Sequence, residues 1–264
     1  MYYLYQFIYN ILVGIWGVLP VHDLGLAIIL ATIVVRLAMW PVDKKGLRGR
    51  QALQSLQPEI VKIKEKAKGD KQAESKMIME LYKEKEVNPV SSSCLPLLVQ
   101  FPFLIGLFQV FMYWLKPEFL ADRTYAFVRS LPYVKQAIAD PALFNATLFG
   151  IDLSALGKAG LVFALFPIAA AALQYYQVKM LSPQQNLDDQ QKMMAKLNFL
   201  GPVMILFFGF TFPIAMSLYW AAMSLVAILQ QHLIMKKDVE VLEETSVNQK
   251  VEKKKDKKKK KRKK

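Results

Sequence analysis

Few side chains of this sequence could carry chemistry, and the most informative of them is Arg36. It lies inside the apolar run 24–40, LGLAIILATIVVRLAMW, which is otherwise uncharged. A run of that length is typical of a membrane-spanning helix. A guanidinium there costs roughly 2.5–3.5 kcal/mol on insertion scales, so it usually faces protein or a water-filled cavity and marks a functional site. One alternative stays open: Arg36 is only about 6 Å along the helix from Trp40, so its side chain could reach the headgroups.

The other polar side chains of the apolar stretches are amides, hydroxyls and polar aromatic groups. Thr32 stands four residues before Arg36 and shares its helical face. The rest are Gln100, Gln109, Gln174, Gln177, Ser217, Tyr219, Trp220 and Ser224. Each one alone is more typical of a contact between helices than of a site. No predicted span contains a carboxylate, so we expect Arg36 to be unpaired. Together with this arginine, the polar side chains indicate a hydrated cavity inside the bilayer, whose cation without a carboxylate would attract acidic or polar chain.

Patterns of catalytic residues are missing from the sequence. Its two histidines, His22 and His232, are predicted on opposite sides of a membrane, and Ser91–Ser93 beside Cys94 have no neighbouring base. We find no metal-ligand cluster, phosphate-binding glycine loop or nucleophile elbow. No carboxylate lies within a predicted span, which argues against a proton-coupled pump. We therefore expect neither an enzyme nor a cofactor.

Composition places the chain among membrane proteins. Its 264 residues are 54% hydrophobic, yet the formal net charge is +14. Apolar and basic residues fall in separate blocks, as in a polytopic membrane protein with charged loops.

Charge-free stretches predict five membrane-spanning helices. They cover about 24–40, 94–115, 159–178, 197–212 and 213–235. The last two come from 39 residues without a formal charge, too many for one span, so the segment 209–213, GFTFP, must turn the chain. The fourth span is short, which implies local bilayer thinning or burial among its neighbours.

Basic residues predict the orientation of these spans. If the sides alternate, one side receives 29 of the Lys and Arg residues and the other receives five. The positive-inside rule then places the N-terminus outside and the C-terminus in the cytoplasm.

Three segments lie outside the spans in addition to the external loop 116–158. Residues 1–21 predict an amphipathic helix on the outer surface, with Gln6, Asn10, Gly14 and Gly17 on one weak face; a sixth span is the alternative. Segment 43–88 predicts a cytoplasmic helical hairpin that turns at Lys68-Gly69-Asp70, with Pro58 restarting its first arm.

The basic tail 236–264 is predicted to be disordered. A lysine run binds RNA backbone or anionic lipid without sequence preference, or it acts only as a topogenic or solubilising segment. On the cytoplasmic side of a membrane, ribosomal RNA is a plausible target. The residues expected to bind it are Lys257, Lys258, Lys259, Lys260, Lys261 and Arg262.

Several segments, in order, resemble one protein family. They are VVRLAMWPVDKK (34–45), LQPEIVKIKEK (56–66), MELYKEKEVNPV (79–90), CLPLLVQFPFLIGLF (94–108), QVKMLSP (177–183) and LYWAAMSLVAILQQHLI (218–234). In this order and spacing they resemble the YidC membrane insertases, a family that includes the mitochondrial oxidase-assembly insertase and its thylakoid counterpart. The large extracytoplasmic domain of some bacterial members is missing, so we expect the short form.

The resemblance implies an all-α polytopic bacterial plasma-membrane protein. Its five spans would surround a hydrophilic groove that is open to the cytoplasm, and it would insert nascent membrane proteins. Arg36 matches the family's essential groove charge. Thr32, Gln100, Gln177 and Tyr219 or Trp220 match other groove-lining positions; the choice between Gln174 and Gln177 stays open. The implied partners are nascent membrane proteins, membrane lipids and, through the tail, the ribosome, whereas a requirement for a Sec-type translocon is left open.

Two other functions compete with this one. A small-solute transporter or anion channel would use Arg36 as a ligand, but it predicts internal repeats with matching broken helices, and we find none. A structural anchor that tethers RNA would explain the tail and leave Arg36 without a role.

Overall fold

The computed structural model describes residues 2–88, 95–181 and 189–235, and the regular secondary structure in these ranges is helical apart from one small β-hairpin and an isolated bridge between Leu156 and Pro213. Of the described residues, those up to Val226 form one compact unit and those from Ala227 to Met235 belong to a second. In chain order the helices are α1 (Tyr2–Val18), α2 (Leu24–Ala38), α3 (Trp40–Ser55), α4 (Gln57–Ala67), α5 (Lys71–Glu84), α6 (Leu95–Gln109), α7 (Phe119–Arg123), α8 (Ala126–Arg129), α9 (Pro132–Ala139), α10 (Leu161–Leu181), α11 (Asp189–Thr211) and α12 (Ile214–Met235). A π-helical turn, Val110–Trp114, extends α6.

Two helices of the described chain, α10 and α12, are long and apolar enough to cross a membrane. Helices α2 and α3 together would make a third such span, but the pair is bent by 63°. Shorter apolar helical segments occur at Leu104–Trp114, which is the end of α6 with its π-helical turn, and at Phe199–Thr211, which is the second half of α11. These helices agree with an all-α membrane protein, while the five-span count and the groove stay predictions.

The bend between α2 and α3 follows from the sequence at their junction. Helix α2 ends at Ala38, Met39 forms its cap, and α3 begins at Trp40 with Pro41 in its first turn. Proline has no backbone N–H and its ring clashes with the carbonyl group four residues earlier, so α2 cannot continue straight through Pro41. The bend therefore sets the first turn of α3 beside the last turn of α2.

Helix α1 packs on the protein along both its apolar and its polar faces. Its Tyr9, Val13 and Trp16 are buried in the core. On the face that the sequence marks as weak, Asn10 Nδ2 donates to the carbonyl of Arg123 at 2.9 Å, and its Oδ1 accepts from Tyr125 N at 2.6 Å. The polar stripe of α1 is therefore satisfied by the segment 116–158; the placement of α1 on the outer membrane surface stays a prediction.

The segment 116–158 closes over the ends of α2 and α12. It contains α7, α8, α9 and the antiparallel strands β1 (Thr147–Leu148) and β2 (Ile151–Asp152). Asp23 caps α2 through Leu26 N at 2.9 Å, and its second carboxylate oxygen accepts from Phe149 N in the β-turn at 2.7 Å. At the start of α12, Ile214 N donates to the carbonyl of Ala155 at 2.8 Å.

The chain turns between α11 and α12 within the segment that the sequence singles out. Helix α11 ends at Thr211 and α12 begins at Ile214. Close packing fixes the end of α11 against α10, because a Cβ atom on Gly209 would lie 2.5 Å from Cβ of Pro167. A side chain larger than that of glycine would therefore not fit at position 209.

Much of α10 stays exposed in the described structure, including Leu161, Leu165 and Tyr175.

Helices α4 and α5 form a helical hairpin. Leu56, Ile60 and Leu81 are buried between the two arms. At the turn, Lys68 and Gly69 have positive φ angles of 50° and 93°, and Asp70 caps α5 through Gln72 N at 2.9 Å. The first arm restarts at Pro58, in the first turn of α4. The cytoplasmic location of this hairpin stays a prediction.

Candidate functional site around Arg36

Arg36 lies in the last turn of α2 and forms an ion pair with Asp43 on α3. Its Nη1 donates to Oδ2 of Asp43 at 3.3 Å, and the two side chains are 13% and 17% exposed. The expectation of a cation without a nearby carboxylate is therefore wrong. Asp43 lies beyond the apolar run 24–40, so a search for acids inside the spans passes over it. The chain bends by 63° between α2 and α3, and the carboxylate of Asp43 lies next to the guanidinium of Arg36.

Asp43 also interacts electrostatically with Arg50, which lies seven residues further along α3. Seven residues correspond to two turns, so both residues lie on the same side of this helix. Asp43 is the only acidic residue between positions 24 and 58. Two guanidinium groups thus act on one carboxylate, and the three side chains together keep a net positive charge.

Thr32 and Tyr219 line one cavity. This partly open cavity, with a volume of about 20 Å³, lies between α1, α2, the end of α6 and α12. Its other lining residues are apolar: Ile8, Ile11, Leu12, Ile28, Ala31, Val35, Leu107 and Phe111. Thr32 Oγ1 donates to the carbonyl of Ile28 at 2.7 Å, and Tyr219 Oη donates to Sδ of Met223 at 3.1 Å. Both hydroxyl groups bond within their own helices, so the cavity offers a mainly apolar wall.

Gln174 and Gln177, one helical turn apart on α10, differ in their hydrogen bonding. Ser224 Oγ donates to Oε1 of Gln174 at 2.8 Å, which links α12 to α10. Oε1 of Gln177 is buried and makes no hydrogen bond in the described part of the structure. Buried polar atoms are usually satisfied, so Gln177 has the spare acceptor of the two.

The remaining predicted residues differ in how far the structure describes them. Trp220 is buried in the core beside Tyr219. Gln100 lies on α6, but its side chain is outside the described part. The predicted ribosome-binding residues Lys257, Lys258, Lys259, Lys260, Lys261 and Arg262 also lie outside the described residues. The structure therefore brings Thr32 and Tyr219 to one cavity and Arg36 to Asp43.

Comparison with known proteins identifies the family. Residues 17–241 match the family model described as 60Kd inner membrane protein. The chain belongs to this family. The matched region begins near the end of α1 and includes Arg36, Asp43 and every helix from α2 to α12. The predicted family resemblance is thus confirmed.

Individual family members show the same relationship. The chain is 31% identical to the membrane protein insertase YidC of Fusobacterium nucleatum over 217 residues, which are 82% of this chain and 88% of that protein. It is 32% identical to the YidC insertases of Maridesulfovibrio salexigens and Rickettsia akari over 81% and 82% of this chain. The chain spans only 35% and 36% of those two proteins. Its relatives and its apolar helices indicate a multi-pass inner-membrane protein of the bacterial type.

Proposed function

We propose that this protein is a membrane protein insertase, which moves nascent membrane proteins into the bilayer, and that Arg36 supplies the positive charge of its groove. Membership of the 60Kd inner membrane protein family supports the insertase function. The observation that carries the role of Arg36 is its position: a mostly buried guanidinium in the last turn of an apolar helix, the same helix that supplies Thr32 and Val35 to the cavity.

The guanidinium of Arg36 attracts the acidic residues of a polar segment that must cross the membrane. Two opposite charges about 4 Å apart interact by about 1 kcal/mol in water and about 4 kcal/mol at the effective dielectric constant near a protein surface. An unsatisfied polar group in hydrocarbon costs several kcal/mol, so partial hydration and charge pairing lower the barrier to transfer.

The hydrophobic helix of the substrate then moves along α10 and α12 into lipid. Leu161, Leu165 and Tyr175 give α10 an exposed face that is suited to such contact.

The groove is open to the cytoplasm and is lined by Arg36, Thr32, Gln100, Gln177 and Tyr219. Its membrane arrangement has five spans with the N-terminus outside, and the hairpin of α4 and α5 receives substrate in the cytoplasm. The tail binds the ribosome through residues 257–262, and lipids surround the spans.

Insertion into liposomes that contain only this protein tests the proposal. The substrates are a small phage-coat-like protein with an acidic translocated segment and its neutralised version. Arg36→Ala should abolish insertion of the acidic substrate and reduce that of the neutral one much less, whereas Arg36→Lys should retain activity because attraction of a moving carboxylate needs only the charge. Lys135→Ala, which removes a charge from an exposed position on α9, outside the hairpin and the groove, is the matched control.

Two results would count against the proposal at different levels. Normal insertion of the acidic substrate by Arg36→Ala would end the groove-charge role. Failure of the unchanged protein to insert either substrate would argue that it is not an autonomous insertase.

A further inference from the structure

We propose that Asp43 is a specificity-determining residue for insertion. Its carboxylate binds Arg36 when no substrate is present, and a substrate carboxylate must displace it. Asp43 would therefore set how acidic a translocated segment must be to engage the protein. This inference rests on the proposed function and adds a residue to it.

The geometry of the ion pair suits exchange of one carboxylate for another. Nη1 of Arg36 and Oδ2 of Asp43 are 3.3 Å apart. Tight charge-assisted bonds between such groups are about 2.7–2.9 Å long. Both side chains are mostly buried, at 13% and 17% exposure, so solvent screens the pair less than it would on an open surface. Arg36 is thus held by a carboxylate through a contact that is longer than the optimum.

The position of Asp43 limits the cost of its displacement. It lies in the first turn of α3, where the helix dipole favours a negative charge. The charge of Arg50 acts on it as well. A displaced Asp43 therefore keeps two favourable interactions after it leaves Arg36. Helices α2 and α3 join at the single residue Met39, so a small change in their angle separates the pair without unfolding either helix.

Displacement makes the protein sensitive to the number of acidic residues in its substrate. A neutral segment has no group that can replace the Asp43 carboxylate on Arg36. A segment with one acidic residue exchanges one carboxylate for another, and a second acidic residue raises the local concentration of competitors. Insertion should therefore rise with the number of acidic residues, and removal of the Asp43 charge should favour the weakest acidic competitor most.

The test measures insertion of three substrates by the full chain in liposomes. The translocated segments carry zero, one or two aspartates and are otherwise identical. With the unchanged protein we expect insertion to rise across the series. Asp43→Asn should raise insertion of the one-aspartate substrate severalfold, towards the two-aspartate level, and leave the zero-aspartate substrate unchanged. The control Asp122→Asn removes the same formal charge from an exposed position on α7, outside the hairpin and the groove, and should behave like the unchanged protein.

The outcomes separate this inference from the proposed function. If the unchanged protein shows no dependence on substrate acidity, the role of Arg36 fails first. If that dependence is present and Asp43→Asn leaves it unaltered, only the role of Asp43 is overturned. Asp43→Glu keeps the carboxylate and should preserve the dependence. If the Asp43→Asn protein does not accumulate in the membrane, Asp43→Ser is measured in its place. If neither variant accumulates, Asp43 is needed for folding, and the inference is overturned.

Discussion

Arg36 and Asp43 depend on each other, because each neutralises a charge that is mostly removed from water. From the sequence alone, Arg36 looks like a lone charge whose removal would relieve a cost. The ion pair reverses that expectation, since removal of the arginine leaves the Asp43 carboxylate with 17% exposure and without this partner.

We therefore predict that Arg36→Ala lowers stability as well as activity. A buried polar group that loses its partner costs about 1–3 kcal/mol. The double variant Arg36→Ala with Asp43→Asn should recover most of this loss because it removes the buried carboxylate that has lost its ion-pair partner. Thermal unfolding of the purified proteins in detergent measures the difference. Equal midpoints for the single and double variants would show that the pair contributes nothing to stability.

At the scale of elements, the bend between α2 and α3 determines which residues meet. In one straight helix, residues 36 and 43 would be about 10.5 Å apart along the axis, at about 1.5 Å per residue. The 63° bend shortens the separation of their backbones, and the two side chains span the rest, so that Nη1 of Arg36 and Oδ2 of Asp43 lie 3.3 Å apart. The packing of the α2–α3 junction is thus a condition for the site.

Replacement of Pro41 by alanine should weaken this bend. Alanine restores a backbone N–H and removes the clash with the preceding turn, so α2 can extend further. Spin labels at Leu30 and Lys45, in a Cys94→Ser background, should then lie further apart than in the protein with Pro41. The Asp43 effect on substrate acidity should diminish in parallel. An unchanged distance distribution would mean that tertiary contacts, and not Pro41, hold the angle.

The same element shows where sequence reasoning reaches its limit. Apolar length and one embedded charge suffice to find α2 and Arg36, and the turn residues Lys68 and Gly69 suffice to place the hairpin of α4 and α5. Asp43 was missed because a linear pattern contains no angle between helices. The satisfied polar face of α1 was missed for a related reason: Asn10 bonds Tyr125, which is 115 residues away.

At the scale of the whole molecule, the distribution of charge predicts the membrane topology. Cysteines at Gly69 and Gln249, in a Cys94→Ser background, should react only with a reagent on the cytoplasmic side, and a cysteine at Asp140 only from outside. The basis is the 29-to-five asymmetry of basic residues. Labelling of Gly69 from outside would invert the proposed arrangement.

The basic tail should contribute an electrostatic interaction with the ribosome. Lysines that contact phosphate release counterions, so binding weakens steeply as salt rises. Deletion of 250–264 should reduce ribosome co-sedimentation and flatten its dependence on salt concentration. A truncated protein with unchanged binding and slope would leave the tail with a topogenic or solubilising role.

The bond between Asp23 and Phe149 has a consequence for the order of events during synthesis. The two residues are 126 positions apart, so at about 5–20 residues per second roughly 6–25 s pass between their translation. Throughout that interval α2 lacks the β-turn that later covers its N-terminal end. Ribosome-arrested chains that stop before residue 149 should remain open to protease at 19–23, and chains long enough to deliver Phe149 across the membrane should become protected.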